Sequence, residues 1–218
     1  MTDHLSEARR FYDTIADDYV VCYGTELAEN VMGRAFLGAF AELAAGGKVA
    51  DVGCGPGHTT ALLDSLGVDV FGLDLSPGMI AHARRALPAV RFEEGTMTEL
   101  PVADGALSGI VAWYSIIHLP PELVPDAIAE FHRALAPGGH LVLAFQIGDE
   151  PLRVDQPHGH PVALDSYRWQ PDRVTELLAD AGFVMAAHLT TPPNKYDTTP
   201  QAYLLAHKPD EHASDQSG

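Results

Sequence analysis

The residues whose types and spacing invite chemistry start with Gly53-Cys54-Gly55-Pro56-Gly57, three glycines two apart behind the apolar run Val49-Ala50-Asp51-Val52. Glycine adopts positive φ and lets a ligand approach main-chain N–H groups with no Cβ between them. A helix starting at about Thr59 would aim the positive end of its dipole at the same spot. A second apolar run, Val68-Asp69-Val70-Phe71-Gly72-Leu73, ends in Asp74. That is roughly twenty residues after the glycines, the distance at which a neighbouring parallel strand brings a carboxylate to ribose hydroxyls. Loop and carboxylate together describe a nucleoside site. The dinucleotide fingerprint would place its third glycine three residues after the second, and that position is His58, which disfavours an NAD-dependent oxidoreductase.

A second group of candidates handles protons. Ile110-Val111-Ala112-Trp113-Tyr114-Ser115-Ile116-Ile117-His118 ends a strand at the carboxyl edge of the sheet, where open α/β folds bind ligands. His118, Tyr114 and Tyr12 are the catalytic candidates there; Trp113 serves equally well as a packing anchor. Asp155-Gln156-Pro157-His158-Gly159-His160 has imidazoles two apart beside a carboxylate, a spacing that can ligate zinc. No paired cluster accompanies it elsewhere, so the expectation is no metal, with His158 and His160 contacting substrate if the loop folds over the pocket.

The elements that must position these groups alternate strand and helix from Lys48 onward, which requires a parallel sheet with helices on both faces. After the first two strands, Val90–Glu94, Ser108–Tyr114 and His140–Ile147 read as strands. Pro77–Ala86 reads as a helix capped by Ser76 with Pro77 in its first turn, and Pro121–Leu135 as another with a break near Pro125. Pro137-Gly138-Gly139 reads as a tight turn into the fifth strand. A helix over Arg173–Ala181 and strands over Phe183–Thr190 and Gln201–His207 follow. The expected plan is one domain over 1–208: a helical cap (1–46), a ligand-binding core (47–147), a substrate loop (148–170), and a closing helix and hairpin (171–208). Residues 209–218 are polar and expected to fray.

Gly53-Cys54-Gly55-Pro56-Gly57 resembles motif I of the class I S-adenosylmethionine-dependent methyltransferases. Glu130–Leu141 is similar to that family's segment before its fifth strand, and Tyr12-Asp13-Thr14-Ile15-Ala16-Asp17-Asp18-Tyr19 resembles the Tyr-Asp-x-x-Ala-x-x-Tyr opening of its small-molecule members. The resemblance implies an α/β, Rossmann-like, doubly wound and mostly parallel seven-stranded sheet, with an antiparallel closing strand and an N-terminal helical cap. It implies S-adenosyl-L-methionine as cofactor, S-adenosyl-L-homocysteine as product and a small-molecule acceptor, methylated first at oxygen, then nitrogen or carbon. A protein that binds the cofactor or its product without transferring methyl is the alternative.

For the cofactor, the resemblance implies contacts from Asp51, Gly53, Cys54, Gly55, Gly57, His58 and Thr59 around the loop. Asp74, Leu75, Ser76 and Met79 follow the second strand, and Gly95, Thr96 and Met97 the third. Trp113 and Tyr114 come from the fourth. Tyr12 would close over the ligand; Tyr19 would do so or simply pack its helix against the sheet. Two departures stand out. Thr96 occupies a position that is acidic in many members, so its hydroxyl or the Met97 and Thr98 main chain would serve adenine instead. Ala112-Trp113-Tyr114-Ser115 replaces the Asn/Asp-Pro-Pro-Tyr signature of nucleic-acid amine methyltransferases.

Composition limits the partners. A formal net charge of −17 over 218 residues repels phosphate backbones, which argues against nucleic acid as substrate. Cys22 and Cys54 give no disulfide framework, Met1 to Arg10 has no apolar signal-like core, and no run is long enough to span a membrane. The expectation is a cytoplasmic protein, monomeric or homodimeric.

Overall fold

The computed structural model describes residues 2–210, the side chains of Thr2 and Asp3 excepted; the frayed tail expected over 209–218 falls largely outside them. Three strands form the centre of the sheet: Lys48–Val52 (β1), Leu107–Trp113 (β4) and Leu135–Gln146 (β5). Apolar residues occupy both faces of each, as a parallel sheet covered on both sides requires. With Asp69–Asp74 (β2), Phe92–Glu94 (β3), Val184–Thr191 (β8) and Gln201–His207 (β9), the order is β3-β2-β1-β4-β5-β9-β8. β9 runs antiparallel to both its neighbours, β5 and β8. One face is packed by Val124–Ala134 (α6) and Pro171–Asp180 (α7) through Ile128, Phe131, Val174 and Leu178; the other by Val31–Leu43 (α3) and His58–Ser65 (α4) through Leu37, Phe40 and Leu63.

The strand order reverses between β2-β1 and β4, and the crevice at that switch point is where ligands sit in such sheets. Two helices roof it, and a hairpin packs against the first of them. Thr2–Tyr23 (α1) and Glu26–Glu29 (α2) precede α3, and Leu152–Asp155 (β6) pairs antiparallel with Ala163–Ser166 (β7). This hairpin replaces the irregular loop expected over 148–170. Val162 and Leu164 bury against Ala8, Phe11 and Ile15 of α1, so apolar contact with the cap fixes the hairpin's register.

Other boundaries shift for local reasons. Pro77–Ala86 (α5) starts where Ser76 accepts the Met79 N–H, as expected of the cap. The helix expected over 121–135 divides into a 3-10 turn, Pro121–Leu123, and α6, because Pro125 suits only a first helical turn. β5 begins at Leu135 rather than His140. Leu135 pairs with Leu107, and the Gly138 N–H donates to the Lys208 carbonyl, so the expected tight turn is absorbed into the sheet. No helix among the described residues is long and apolar enough to cross a membrane.

Candidate active site

The loop after β1 is held open by its backbone. Gly53 (φ +74°) sits so close to Ser115 that a Cβ would lie 2.3 Å from the serine Cβ, and its N–H donates to the Leu73 carbonyl. Gly55 (φ +53°) differs: among the described residues a Cβ there would meet no atom within 4 Å, because the position faces the crevice. Gly57 (φ +89°) turns away. A Cβ there would press on Ala83 and Phe92, each at 3.3 Å, so this glycine packs the loop onto α5 and β3 and does not line the cavity, contrary to its expected ligand role.

Asp74 ends β2 directly opposite Gly55. Its Oδ2 accepts the Gly55 N–H at 2.8 Å and its Oδ1 the Ser76 N–H at 2.8 Å. Burial pushes the carboxyl pKa up while these N–H groups pull it down. A carboxylate has about four acceptor positions, so both oxygens keep lone pairs for further hydroxyls. Leu75, Ser76, Met79, Gly95, Thr96 and Met97 complete this end, with Cys54, His58 and Thr59 beside the loop.

Asp51 is corrected. It lies fully buried beneath the loop, its Oδ2 bonded by the Thr60 hydroxyl at 2.6 Å, and does not line the cavity. Burial pushes its carboxyl up to about 7. Because this exceeds the unfolded value of about 3.9, the stability contributed by the protonated form is present below about pH 4 and is lost as pH rises through about 7. Asp51→Asn should flatten that loss; urea titrations of both proteins at pH 5 and 8 measure it.

The far wall comes from α1 and the end of β4. Tyr12 Oη and His118 Nε2 are 2.5 Å apart, and the His4 Nε2 donates to the His118 carbonyl at 2.5 Å. Burial, aided by His4, drops the His118 pKa to about 4, so the ring is neutral near pH 7; among the described residues its Nδ1 is buried without a partner. Burial holds the Tyr12 phenol well above its usual range. Tyr114 carries φ +52°, a left-handed conformation costing a non-glycine residue about 1–2 kcal/mol, and faces the cavity where β4 gives way to the His118 turn. Trp113 lines the cavity and stacks on Tyr203 at 4.8 Å. Tyr19 likewise lines the cavity while packing 6.0 Å from Tyr12.

His158 and His160 lie elsewhere. The hairpin carries its tip to the outer side of α1, where His160 Nε2 meets Asp18 at 2.7 Å and His158 Nε2 lies 3.9 Å from Cys22 Sγ. Neither lines the cavity, so the expected substrate contacts are replaced by contacts to the cap. Sequence reading had missed His4, Tyr23, Glu26 and Asn30 on the cavity wall, and Asp13 behind it. Asp13 Oδ1 accepts from the Ser76 hydroxyl at 2.6 Å and the Gly78 N–H at 2.9 Å, fastening α1 over the start of α5. Its place in the Tyr-Asp motif was the available signal. For Glu26 there was none, and for Asn30 only that of a helix cap.

Residues 49–139 match the methyltransferase domain family. Over that stretch the chain is similar to the class I S-adenosylmethionine-dependent methyltransferases. Among curated relatives, a probable S-adenosylmethionine-dependent methyltransferase of Mycolicibacterium smegmatis is 30% identical over 142 residues, covering 64% of this chain and 52% of the relative. Trans-aconitate 2-methyltransferase of Methylobacterium nodulans is 41% identical over 112 residues, covering 49% and 40%. The chain thus spans about half the length, or less, of such relatives. Magnesium protoporphyrin IX methyltransferase from Synechocystis, solved with S-adenosylmethionine bound, superposes with a TM-score of 0.73 at 19% identity, over 94% of this chain and 97% of that one, and so shares the fold.

Proposed function

We propose that this protein transfers a methyl group from S-adenosylmethionine to a small molecule, most readily to an oxygen atom. The observation that carries the reading is a single cavity with the Gly55–Asp74 cradle at one end and the Tyr12–His118 pair on its wall. The residues present fit the cofactor: Asp74 keeps acceptor capacity for a ribose, and Gly55 leaves empty the space a side chain would fill. When bound, the cofactor supplies an electrophilic methyl carbon.

Holding two reactants in line can contribute about 7–11 kcal/mol, whereas a general base adds roughly 10²–10⁴-fold. Positioning therefore dominates, and a weakly basic histidine suffices. As an acceptor hydroxyl gives up electron density to a new bond its proton becomes acidic, and the Tyr12 oxygen can receive it while the phenol proton passes to His118. Closure by α1 excludes water and favours a small acceptor; the acidic surface disfavours nucleic acid and anionic membranes.

A solved neighbour at TM-score 0.62 and 20% identity is a 4+2 cyclase, which favours keeping a second reading: cofactor binding without methyl transfer. Release of S-adenosylhomocysteine across a panel of phenols, carboxylates and amines separates the two. Methyl transfer predicts stoichiometric release with one acceptor class; binding without release across the whole panel supports the second reading.

Asp74→Ala should weaken S-adenosylhomocysteine binding by about ten- to a hundredfold, the worth of charge-assisted hydrogen bonds to ribose, with the fold retained. Calorimetry on the folded variant checks this, and unchanged affinity removes Asp74 from the site.

A further inference from the structure

One part of the cavity wall carries a carboxylate with no compensating charge. Glu26 lines the cavity, and no hydrogen bond or ion pair engages its side chain among the described residues. Tyr19, Tyr23 and Tyr114 line the same cavity, and the Tyr19 and Tyr23 rings lie 4.7 Å apart; burial first, and then the Glu26 charge among others, raises all three phenols. Neither lysine nor arginine lines the cavity among the described residues. The nearby cations are engaged elsewhere: Arg34 donates to the Leu27 and Ala28 carbonyls, and Lys195 pairs with Glu29 at 2.5 Å. Burial first, and then the negative charge of Asp197 in the turn between β8 and β9, push the Glu26 carboxyl up to about 7.

Building on the methyltransferase reading, we infer that this end of the cavity selects acceptors bearing a protonated amine, held between the Glu26 carboxylate and the tyrosine faces, and rejects anionic ones. An ammonium ion gains a charge-assisted hydrogen bond from the carboxylate and cation–π attraction from the rings. A bound carboxylate would either repel the Glu26 charge with no counter-ion beside it or force Glu26 to take up a proton, whereas an ammonium favours the charged carboxylate. The tricarboxylate in the name of the trans-aconitate relative therefore does not suit this wall. The ammonium is a handle and not the nucleophile: a protonated nitrogen has no lone pair, so the methyl goes to another atom of the acceptor. In this way an amine-bearing alcohol or phenol satisfies both ends of the site.

The test uses full-length wild type and Glu26→Gln, each saturated with S-adenosylhomocysteine and titrated calorimetrically with phenethylamine, 2-phenylethanol and 3-phenylpropionate. The three share a ring and differ in charge. Wild type should bind the amine at least about tenfold more tightly than the alcohol, and the acid most weakly. Glu26→Gln should reduce the amine to the level of the alcohol while S-adenosylhomocysteine affinity stays within about twofold. Amine binding no tighter than alcohol binding, including no amine binding, overturns the inference. So does a tenfold loss of S-adenosylhomocysteine affinity in the variant, which would place Glu26 on the cofactor's own ammonium. The wild-type ranking decides the matter even if the variant does not fold. Failure of wild type to bind S-adenosylhomocysteine is distinguishable, because it contradicts the methyltransferase reading itself.

Discussion

Gly55→Val should yield a folded protein whose affinity for S-adenosylhomocysteine falls more than about a hundredfold. The side chain would project into the crevice, where no atom of the described residues lies within 4 Å of the new Cβ, and would occupy space that the ligand needs. Placing a β-branched residue at φ +53° adds strain of about 1–3 kcal/mol, or a Tm lower by several degrees for a chain of this size. Gly67→Val is the matched control. Its φ is +82°, it too has no neighbour within 4 Å among the described residues, and it does not line the cavity, so it should lose comparable stability and keep full binding. Calorimetry on both variants separates occlusion from strain. Binding retained by Gly55→Val would mean that the loop does not cradle a ligand.

His118→Ala should lower turnover by about 10²–10⁴-fold on the acceptor found by the release assay and leave cofactor affinity nearly intact, provided the proton leaves through the Tyr12–His118 pair. Tyr12→Phe should produce a similar loss, and the double variant should be little worse than either single one, because one bond 2.5 Å long joins the two groups. The pH profile sharpens this. An ordinary histidine would give a limb near 6.5, but this ring titrates at about 4, so the rate should stay flat as pH falls from 8 to 5.5 and decline below that. The same depression has a stability consequence. With the folded pKa below the unfolded one, the neutral ring contributes stability above about pH 6.5 that is lost as pH falls through 4. Additive losses in the double variant, or wild-type turnover in His118→Ala, would make the pair structural.

How far these features could be read from sequence depends on the range of the interactions that create them. The glycine loop, Asp74 and the Ser76–Pro77 helix start are legible because each is specified within a few residues, and Pro77–Ala86 and Gln201–His207 have the expected boundaries. The β6–β7 hairpin was not: its alternation spans only four residues a strand, and its register comes from packing on α1. His158 and His160 were misplaced for the same reason, since only the fold decides which side of α1 the hairpin tip reaches. Asp51 illustrates another limit, because its strand alternation points it into the sheet's underside and only the Thr60 bond explains a buried acid there. Glu26 carries no local signal, and the local signal of Asn30 is only that of a helix cap, its Oδ1 accepting the Gly33 N–H at 2.8 Å. Asn30 gains meaning by donating to the Tyr203 hydroxyl at 2.9 Å, 173 residues away, and Glu26 from the tyrosines and Asp197 gathered by α1, β4 and the closing hairpin.

The central claim is that the Gly55–Asp74 crevice is built for S-adenosylmethionine and not for a dinucleotide. Parallel calorimetric titrations of the wild-type chain with S-adenosylmethionine, S-adenosylhomocysteine and NAD test it most directly. One site for each of the first two, competing with one another, and no heat from NAD is the predicted result; binding of NAD, or of none of the three, would contradict it.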